Sequence, residues 1–229
     1  LIDTAEMYAE GGAEEVVGEA IAGQRDRVFL VSKVYPHNAS RTGIVEACER
    51  SLRRLGTEHI NLYLLHWPGQ HPLEETVEAF ERLREAGKIG GWGVSNFDVT
   101  DMAHLANPAC ATNQVLYNLE QRGIEFDLLP WAQIHLMPLM AYCPIAQAGH
   151  LLKNPVLQDI AARHDATPAQ ICLAWVLRNK GVIAIPKAVK PEHIRLNAAA
   201  AQLTLTAEDL HAIDSAWPAP TRKRVLAMV

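Results

Sequence analysis

Short apolar runs alternate with stretches of helical spacing along the whole chain, and this alternation restricts the fold more than any other feature. Most runs lack an in/out alternation of apolar and polar residues, as expected of parallel strands buried on both faces. The runs cover residues 1–2, 28–31, 60–65, 89–94, 112–115, 137–141 and 182–185. Repeated pairs of a strand and a helix are typical of a doubly wound sheet or of a (β/α) barrel.

The helical stretches are recognised by their period and their caps. Apolar residues recur at intervals of three and four at Ile44, Cys48, Leu52 and Leu55, which predicts an amphipathic helix. Its arginines are expected to form a solvated face; they are Arg50, Arg53 and Arg54. Thr167, followed by Pro168, and Thr206 are expected to begin two further helices. No linker, internal repeat or low-complexity segment interrupts the pattern, so residues 1–229 are predicted to form a single domain.

Composition and charge exclude several classes of protein. With 229 residues, 49% of them hydrophobic and 21% charged, the chain has enough apolar material for a core, which excludes disorder. The formal net charge is -5 and no long basic run is present, so neither nucleic acid nor a membrane is expected as a partner. The four cysteines are widely spaced, which is typical of reduced thiols in a cytoplasmic protein.

Polar side chains gather at the ends of the apolar runs. Asp3, Lys33 and His66 follow the first three runs, and Tyr8 comes five residues after Asp3. In a parallel barrel the carboxyl ends of all strands open on one rim, where active sites are built. A doubly wound sheet would spread the same residues along an edge with a single crevice. The barrel therefore explains the positions better than the doubly wound sheet does.

Four of these side chains supply the groups needed to protonate an oxyanion: Asp3, Tyr8, Lys33 and His66. A tyrosine is a weak acid, with an ordinary pKa of about 10, and a neighbouring ammonium favours its phenolate form. An aspartate can hold that ammonium, and an imidazole can orient a carbonyl oxygen. None of the four is a strong nucleophile, so a bound hydride donor is expected to attack the carbonyl carbon.

Five segments in order resemble motifs of the aldo-keto reductases, and the resemblance runs through the whole chain. The segments are residues 1–8, 31–34, 65–68, 93–97 and 185–187. Residues 5–8, 141–144 and 218–220 are most similar to bacterial members that reduce methylglyoxal. The resemblance implies an α/β fold of the (β/α)8 TIM barrel type. That barrel begins with a hairpin, a first strand and a first helix, and the sequence is expected to lack these because it starts at the strand of Asp3.

The resemblance also implies a role for each matching residue. Tyr8 would be the general acid, Lys33 and Asp3 would assist it, His66 would orient the substrate carbonyl, and Trp67 would line the substrate pocket. The remaining matches would hold NADPH. Ser95, Asn96 and Gln114 would bind the nicotinamide carboxamide, and Tyr142 would stack on its ring. The pyrophosphate would lie beside Cys143, Pro144, Ile145 and Ala146, the 2′-phosphate beside Lys187, Ala188 and His193, and the adenine beside Asn197.

Two positions depart from the family pattern around the 2′-phosphate. The family often has Ser directly after the lysine and Arg six residues after it, where this chain has Ala188 and His193. The loss of a bidentate guanidinium removes a strong phosphate contact. NADPH is still the expected cofactor because of Lys187, although NADH is possible. No metal is expected, because the histidines lack metal-ligand spacing.

The sequence therefore predicts an enzyme that reduces small aldehydes or ketones, such as methylglyoxal, to alcohols. A small carbonyl compound is the expected partner, and a monomer is favoured. One alternative is a regulatory or structural protein that binds the cofactor on the same fold with negligible turnover, because a fold alone does not establish catalysis. Another is an NADH-linked dehydrogenase of alcohols or sugars.

Overall fold

The computed structural model describes residues 1–229, in which seven strands alternate with nine α-helices. The strands are β1 (Ile2–Asp3), β2 (Leu30–Val34), β3 (Ile60–Leu65), β4 (Ile89–Ser95), β5 (Cys110–Leu116), β6 (Leu139–Tyr142) and β7 (Val182–Ala184). The helices are α1 (Gly12–Ile21), α2 (Gly43–Leu55), α3 (Leu73–Glu85), α4 (Val99–Leu105), α5 (Leu128–Ile134), α6 (Pro155–Arg163), α7 (Pro168–Leu177), α8 (Pro191–Ala199) and α9 (Ala207–Ala216). No helix is both long enough and apolar enough to cross a membrane.

The strands are hydrogen-bonded neighbours in the order in which they occur in the chain, from β1 to β7. β1 to β4 pair in parallel, with Lys33 opposite Leu64, and β6 pairs in parallel with β7, with Leu139 opposite Val182. A doubly wound sheet reverses its strand order at a switch point, and this sheet has no such reversal. The order of the strands therefore agrees with the predicted barrel topology and excludes the doubly wound alternative.

The chain divides into two compact units, Leu1–Asn113 and Gln114–Val229, here called the first and second units. In the first unit, α2 and α3 bury apolar side chains toward the strands, and the Phe80 ring stacks on Trp92 with 5.5 Å between centroids. Close packing of α1 on the end of α2 depends on Gly18, because a Cβ there would lie 2.8 Å from the Arg54 carbonyl oxygen. The single-domain organisation stays a prediction.

The second unit is organised around a buried aromatic residue on α7. The Trp175 ring is fully buried, and the guanidinium carbons of Arg178 and Arg122 lie 3.8 and 5.0 Å from its centroid. Both arginines also pair with Glu125, which accepts a hydrogen bond from the Tyr117 hydroxyl. Charged groups can be buried here because each has a partner of opposite charge.

The predicted helix starts are confirmed, and the strand ends agree to within three residues. Thr167 and Thr206 each form a capping box, with Gln170 and Asp209 respectively. The largest difference concerns β2, which the apolar run predicts to end at position 31 but which continues to Val34. The apolar run stops at position 31 because Ser32 is polar and Lys33 is charged, whereas in the folded protein both side chains are paired and fully buried.

The prediction for the arginines of α2 is wrong in one part. Arg53 is exposed, as predicted, and Arg50 is half-buried. Arg54, in contrast, turns toward α1 and forms an ion pair with the fully buried Glu14. The spacing of arginines along a helix does not show which arginine pairs with a buried carboxylate on a neighbouring helix.

Candidate active site

Lys33 lies at the centre of a group of polar side chains in the first unit. Its side chain is fully buried on β2, and its Nζ lies 2.6 Å from Asp3 Oδ2. The same Nζ donates to the Thr4 carbonyl at 2.9 Å and to Tyr8 Oη at 3.2 Å. All three protons of the ammonium therefore have acceptors, which accounts for a lysine with no exposure to solvent. The structure brings Asp3, Tyr8 and Lys33 together as the sequence predicts.

Tyr8 is held near Lys33 by the local backbone. It follows β1 by five residues and begins a short 3-10 turn over Tyr8–Gly11 that leads into α1. Tyr8 is 38% exposed, although its hydroxyl contacts the buried Lys33. The Lys33 Nζ lies 4.8 Å from the ring centroid. A positive charge at this distance stabilises the phenolate that remains when the hydroxyl gives up its proton.

His66 completes the group from the end of β3. Its ring centroid lies 5.7 Å from that of Tyr8, edge to face. The imidazole is buried, and burial together with the charge of Lys33 lowers the pKa of His66 from 6.5 to about 3. The ring is therefore neutral at physiological pH. Its Nδ1 is buried and has no hydrogen-bond partner, which leaves Nε2 as the nitrogen that can meet a substrate.

The lowered pKa of His66 predicts a pH dependence of stability. The unfolded chain takes up a proton on this ring below about pH 6.5, whereas the folded protein resists protonation down to about pH 3. The free energy of unfolding therefore falls as the pH drops through this window, and His66 causes no such loss above it. One proton of difference corresponds to a slope of about 1.4 kcal/mol per pH unit.

We expect the His66→Gln variant to lose most of this slope between about pH 4.5 and 6. Urea unfolding at several pH values measures it, and His211→Gln, which changes an exposed histidine on α9, serves as the control. Equal slopes in wild type and His66→Gln would contradict the assignment of a neutral, buried His66.

Two predicted cofactor residues adjoin this group, at the end of β4. Ser95 and Asn96 are both buried, and Asn96 has a positive φ of 60°. The Asn96 side-chain amide donates to the His66 carbonyl and to Ser95 Oγ, both at 3.2 Å. Trp67 lies next to His66, with 4.9 Å between ring centroids, and also contacts Tyr35 edge to face at 5.9 Å. The predicted pocket residue therefore belongs to an aromatic cluster beside the four polar groups.

The remaining predicted cofactor residues belong to the second unit, where they fall into three places. Gln114 is buried on β5, and its side-chain amide contacts Met140 Sδ at 3.9 Å. Tyr142 ends β6 and leads into a loop with unusual backbone angles, in which both Cys143 and Ala146 have a φ of 47°. The others follow β7 or lie on α8; they are Lys187, Ala188, His193 and Asn197, and of these Lys187 and His193 are exposed.

The loop after Tyr142 contains Cys143, Pro144 and Ile145. Pro144 is buried, and Ile145 is half-buried. The carbonyl of Cys143 accepts hydrogen bonds from the Asn118 side chain and the Ala146 backbone N–H, at 3.0 and 2.9 Å. Partial burial raises the pKa of the Cys143 thiol, which disfavours the reactive thiolate.

Sequence reasoning missed three groups that shape the site. The Thr4 carbonyl, which accepts from Lys33, has no signature in a sequence because any residue carries one. Glu6 is buried and accepts from the Tyr35 backbone N–H at 2.7 Å and from the Asn38 side chain at 3.0 Å, so it fixes the loop after β2. Glu14 is fully buried on α1. Glu14 lies three residues before Val17 and seven before Ile21, so it shares a helix face with them. This spacing was the sequence signal that could have indicated its burial.

Comparison with known proteins identifies the family. Residues 1–218 match the family model described as the aldo/keto reductase family. The chain is 55% identical over 237 aligned positions to the methylglyoxal reductase YeaE of Escherichia coli. The alignment covers 100% of this chain and 84% of that protein. It is 36% identical over 220 positions to the glyoxal reductase of Bacillus subtilis, with 93% of this chain and 77% of that one covered.

Solved structures agree with this result. The fold matches the crystal structure of an aldo/keto reductase from Klebsiella pneumoniae in complex with NADP and acetate, with a TM-score of 0.98 and 56% identity. That match covers 100% of this chain and 83% of the other. The chain therefore belongs to the aldo/keto reductase family. It has the fold of that family, as predicted, and it is an oxidoreductase.

Proposed function

We propose that this protein is an NADPH-dependent reductase of small aldehydes and ketones, with methylglyoxal among its substrates. The observation that carries the proposal is the ammonium of Lys33, held between Asp3 and the hydroxyl of Tyr8, with the neutral ring of His66 alongside. The relatives named as methylglyoxal and glyoxal reductases support the choice of substrate.

Each of the four residues has a distinct task in the proposed mechanism. Tyr8 gives its phenolic proton to the carbonyl oxygen of the substrate, as a general acid. Lys33 stabilises the phenolate that remains, and Asp3 keeps the ammonium in place. The neutral imidazole of His66 donates one hydrogen bond that orients the carbonyl and polarises it. Bound NADPH supplies the hydride that the carbonyl carbon receives.

The chemistry of the side chains in the first unit fits a nicotinamide. A carboxamide needs both donors and acceptors, and Ser95 and Asn96 offer a hydroxyl and an amide at the end of β4. Asn96 already donates to Ser95 Oγ, so the Ser95 hydroxyl proton can be donated to the carboxamide oxygen. These two residues would hold the nicotinamide next to the group around Lys33.

The second unit offers groups suited to the other parts of the cofactor. The backbone of 143–146 would lie beside the pyrophosphate, and Gln114 and Tyr142, which precede it in the chain, offer an amide and a ring face. Lys187 is exposed and precedes α8, whose N-cap residue Lys190 makes no side-chain cap hydrogen bond. Free backbone N–H groups at the start of a helix attract phosphate, so this segment would bind the 2′-phosphate, with Ala188 and His193 nearby and Asn197 at the adenine.

The proposed phosphate contact predicts a change in cofactor preference. We expect Lys187→Ala to weaken NADPH binding by about ten- to a hundredfold, since a charge-assisted hydrogen bond contributes about 1.5–3 kcal/mol. Binding of NADH, which lacks the 2′-phosphate, is expected to stay unchanged. Fluorescence titration with both reduced cofactors measures the effect, and Lys180→Ala, another exposed lysine of this unit, is the matched control. Equal weakening for both cofactors would remove Lys187 from this role.

The proposed function itself is tested by following NADPH absorbance in the presence of methylglyoxal and, separately, of an aromatic aldehyde. We expect consumption that depends on the aldehyde and is faster with NADPH than with NADH. Tight NADPH binding with no consumption would favour a regulatory protein over an enzyme. A clear preference for NADH with an alcohol or sugar would favour the dehydrogenase alternative.

A further inference from the structure

Three consecutive residues after Tyr8 have left-handed backbone conformations. The φ angles are 50° at Ala9, 54° at Glu10 and 95° at Gly11. Residues with a Cβ rarely adopt this region, because Cβ approaches the following carbonyl oxygen. Such a conformation persists only where the surrounding contacts impose it. The turn that carries Tyr8 therefore depends on something outside itself.

The carboxylate of Glu14, in the first turn of α1, connects the segment after this turn to neighbouring elements. Glu14 has no exposure to solvent, so its charge must be neutralised by its neighbours. Its Oε2 accepts from Arg54 Nε at 2.7 Å and lies 2.6 Å from Arg54 Nη2. Its Oε1 accepts from Ser32 Oγ at 2.5 Å. One buried carboxylate thus connects α1 with α2 and with β2.

Arg54 also packs directly against the left-handed turn. A Cβ added at Gly11 would lie 2.7 Å from both Cδ and Nε of Arg54. The arginine therefore fills the space beside the turn, and a larger residue at Gly11 would have to displace it. The guanidinium that neutralises Glu14 is the same group that confines the turn after Tyr8.

Ser32 extends this arrangement to the residue that Tyr8 contacts. Successive side chains of a strand point to opposite faces, so Ser32 faces α1 while its neighbour Lys33 faces Asp3 and Tyr8. The carboxylate of Glu14 consequently holds both elements that meet in the active site. One is β2, which carries Lys33, and the other is α1, which directly follows the turn of Tyr8.

We propose that Glu14, Arg54 and Ser32, here called the Glu14 clamp, set the distance between the Tyr8 hydroxyl and the Lys33 ammonium. They are positioning residues, because none of them contacts Tyr8 Oη. The inference rests on the proposed function, in which Tyr8 is the general acid. The charged or titratable groups around Tyr8 include Lys33 from β2, Asp3 from β1, which is paired with Lys33, and His66 from the end of β3. Loss of the Glu14 clamp is therefore expected to affect Tyr8 mainly by moving Lys33.

Glu14→Gln tests the clamp because it keeps the shape of the side chain and removes its charge. We expect kcat to fall by about ten- to a hundredfold, the size of effect that a small misplacement of a catalytic group produces, with little change in KM. We also expect the loss of kcat at alkaline pH to move to higher pH, because the Tyr8 phenolate is less stabilised when Lys33 is farther away. A residue that supports only the fold would lower stability without moving this alkaline limb.

The matched control is Asp209→Asn in the second unit. Asp209 is another buried carboxylate paired with an arginine, with 2.5 Å between its Oδ1 and Arg163 Nη2. This variant is expected to unfold more easily but to keep the kcat and the alkaline limb of the wild type. Ser32→Ala removes a single hydrogen bond and keeps the ion pair, so it is expected to change kcat and the alkaline limb in the same direction as Glu14→Gln, but less.

The outcomes separate the clamp from the proposed function. A folded Glu14→Gln with the kcat and alkaline limb of the wild type overturns the clamp, and if that variant does not fold, unchanged values in Ser32→Ala overturn it instead. Tyr8→Phe is measured beside them. If Tyr8→Phe loses turnover while the clamp variants keep it, only the clamp is wrong. If Tyr8→Phe keeps its turnover, the proposed function is wrong.

Discussion

Replacing Tyr8 by Phe is expected to reduce kcat for methylglyoxal by about 10²- to 10⁴-fold, the range that a general acid contributes. The ring remains, so packing against His66 is kept and only the hydroxyl that meets Lys33 at 3.2 Å is lost. NADPH affinity is expected to stay within about twofold, since the hydroxyl is assigned to the substrate and not to the cofactor. Stopped-flow or steady-state absorbance at saturating cofactor measures the change.

The control for this prediction is Tyr117→Phe in the second unit. Tyr117 is a buried tyrosine whose hydroxyl bonds Glu125, Arg178 and Asn179. Its loss is expected to cost about 1–3 kcal/mol of stability, because buried partners are left unsatisfied, while kcat is retained once the protein is folded. Retention of full turnover by Tyr8→Phe would remove Tyr8 from the role of acid.

Lys33→Met is expected to have a similarly large effect, a loss of about 10²- to 10⁴-fold in kcat. Met has a similar length and an apolar body, so it can fill the buried space that Lys33 leaves. The phenolate of Tyr8 then has no adjacent positive charge, and Asp3 loses the ammonium at 2.6 Å. A carboxylate left without its partner in a mostly buried position also lowers stability.

A double variant distinguishes the catalytic effect of Lys33 from its effect on stability. Replacing Lys33 by Met and Asp3 by Asn removes both charges, and such replacements of a buried ion pair are often neutral for stability. We expect the double variant to recover most of the thermal stability lost in Lys33→Met without recovering turnover. If turnover returned together with stability, Lys33 would be a structural residue and not part of the mechanism.

The fold was largely predictable because its strands are short, apolar and bounded by polar residues. Each of the seven apolar runs corresponds to a strand, since burial on both faces leaves a continuous apolar signal. The predicted end of β2 is wrong because two buried polar residues, Ser32 and Lys33, interrupt that signal. A local pattern does not record that Asp3, thirty positions earlier, neutralises the lysine.

The candidate site was predictable in its main residues and not in their supports. Asp3, Tyr8, Lys33 and His66 lie at or shortly after the ends of strands, and parallel strands bring such residues to one edge. Arg54 was instead expected to face solvent, because its sequence context is that of an ordinary charged helix face. Its partner Glu14 lies forty positions away, and only the packing of α1 on α2 brings the two together.

The most direct test of the account follows the hydrogen that is transferred. The enzyme would be supplied with methylglyoxal and with NADPH in which deuterium replaces both hydrogens at carbon 4 of the nicotinamide, in ordinary water. The alcohol product would be examined by mass spectrometry and NMR. We predict one deuterium on the former carbonyl carbon and an ordinary hydrogen on the hydroxyl, which exchanges with water. A product with no deuterium at that carbon, or an absence of product while NADPH is bound, would contradict the proposed hydride transfer.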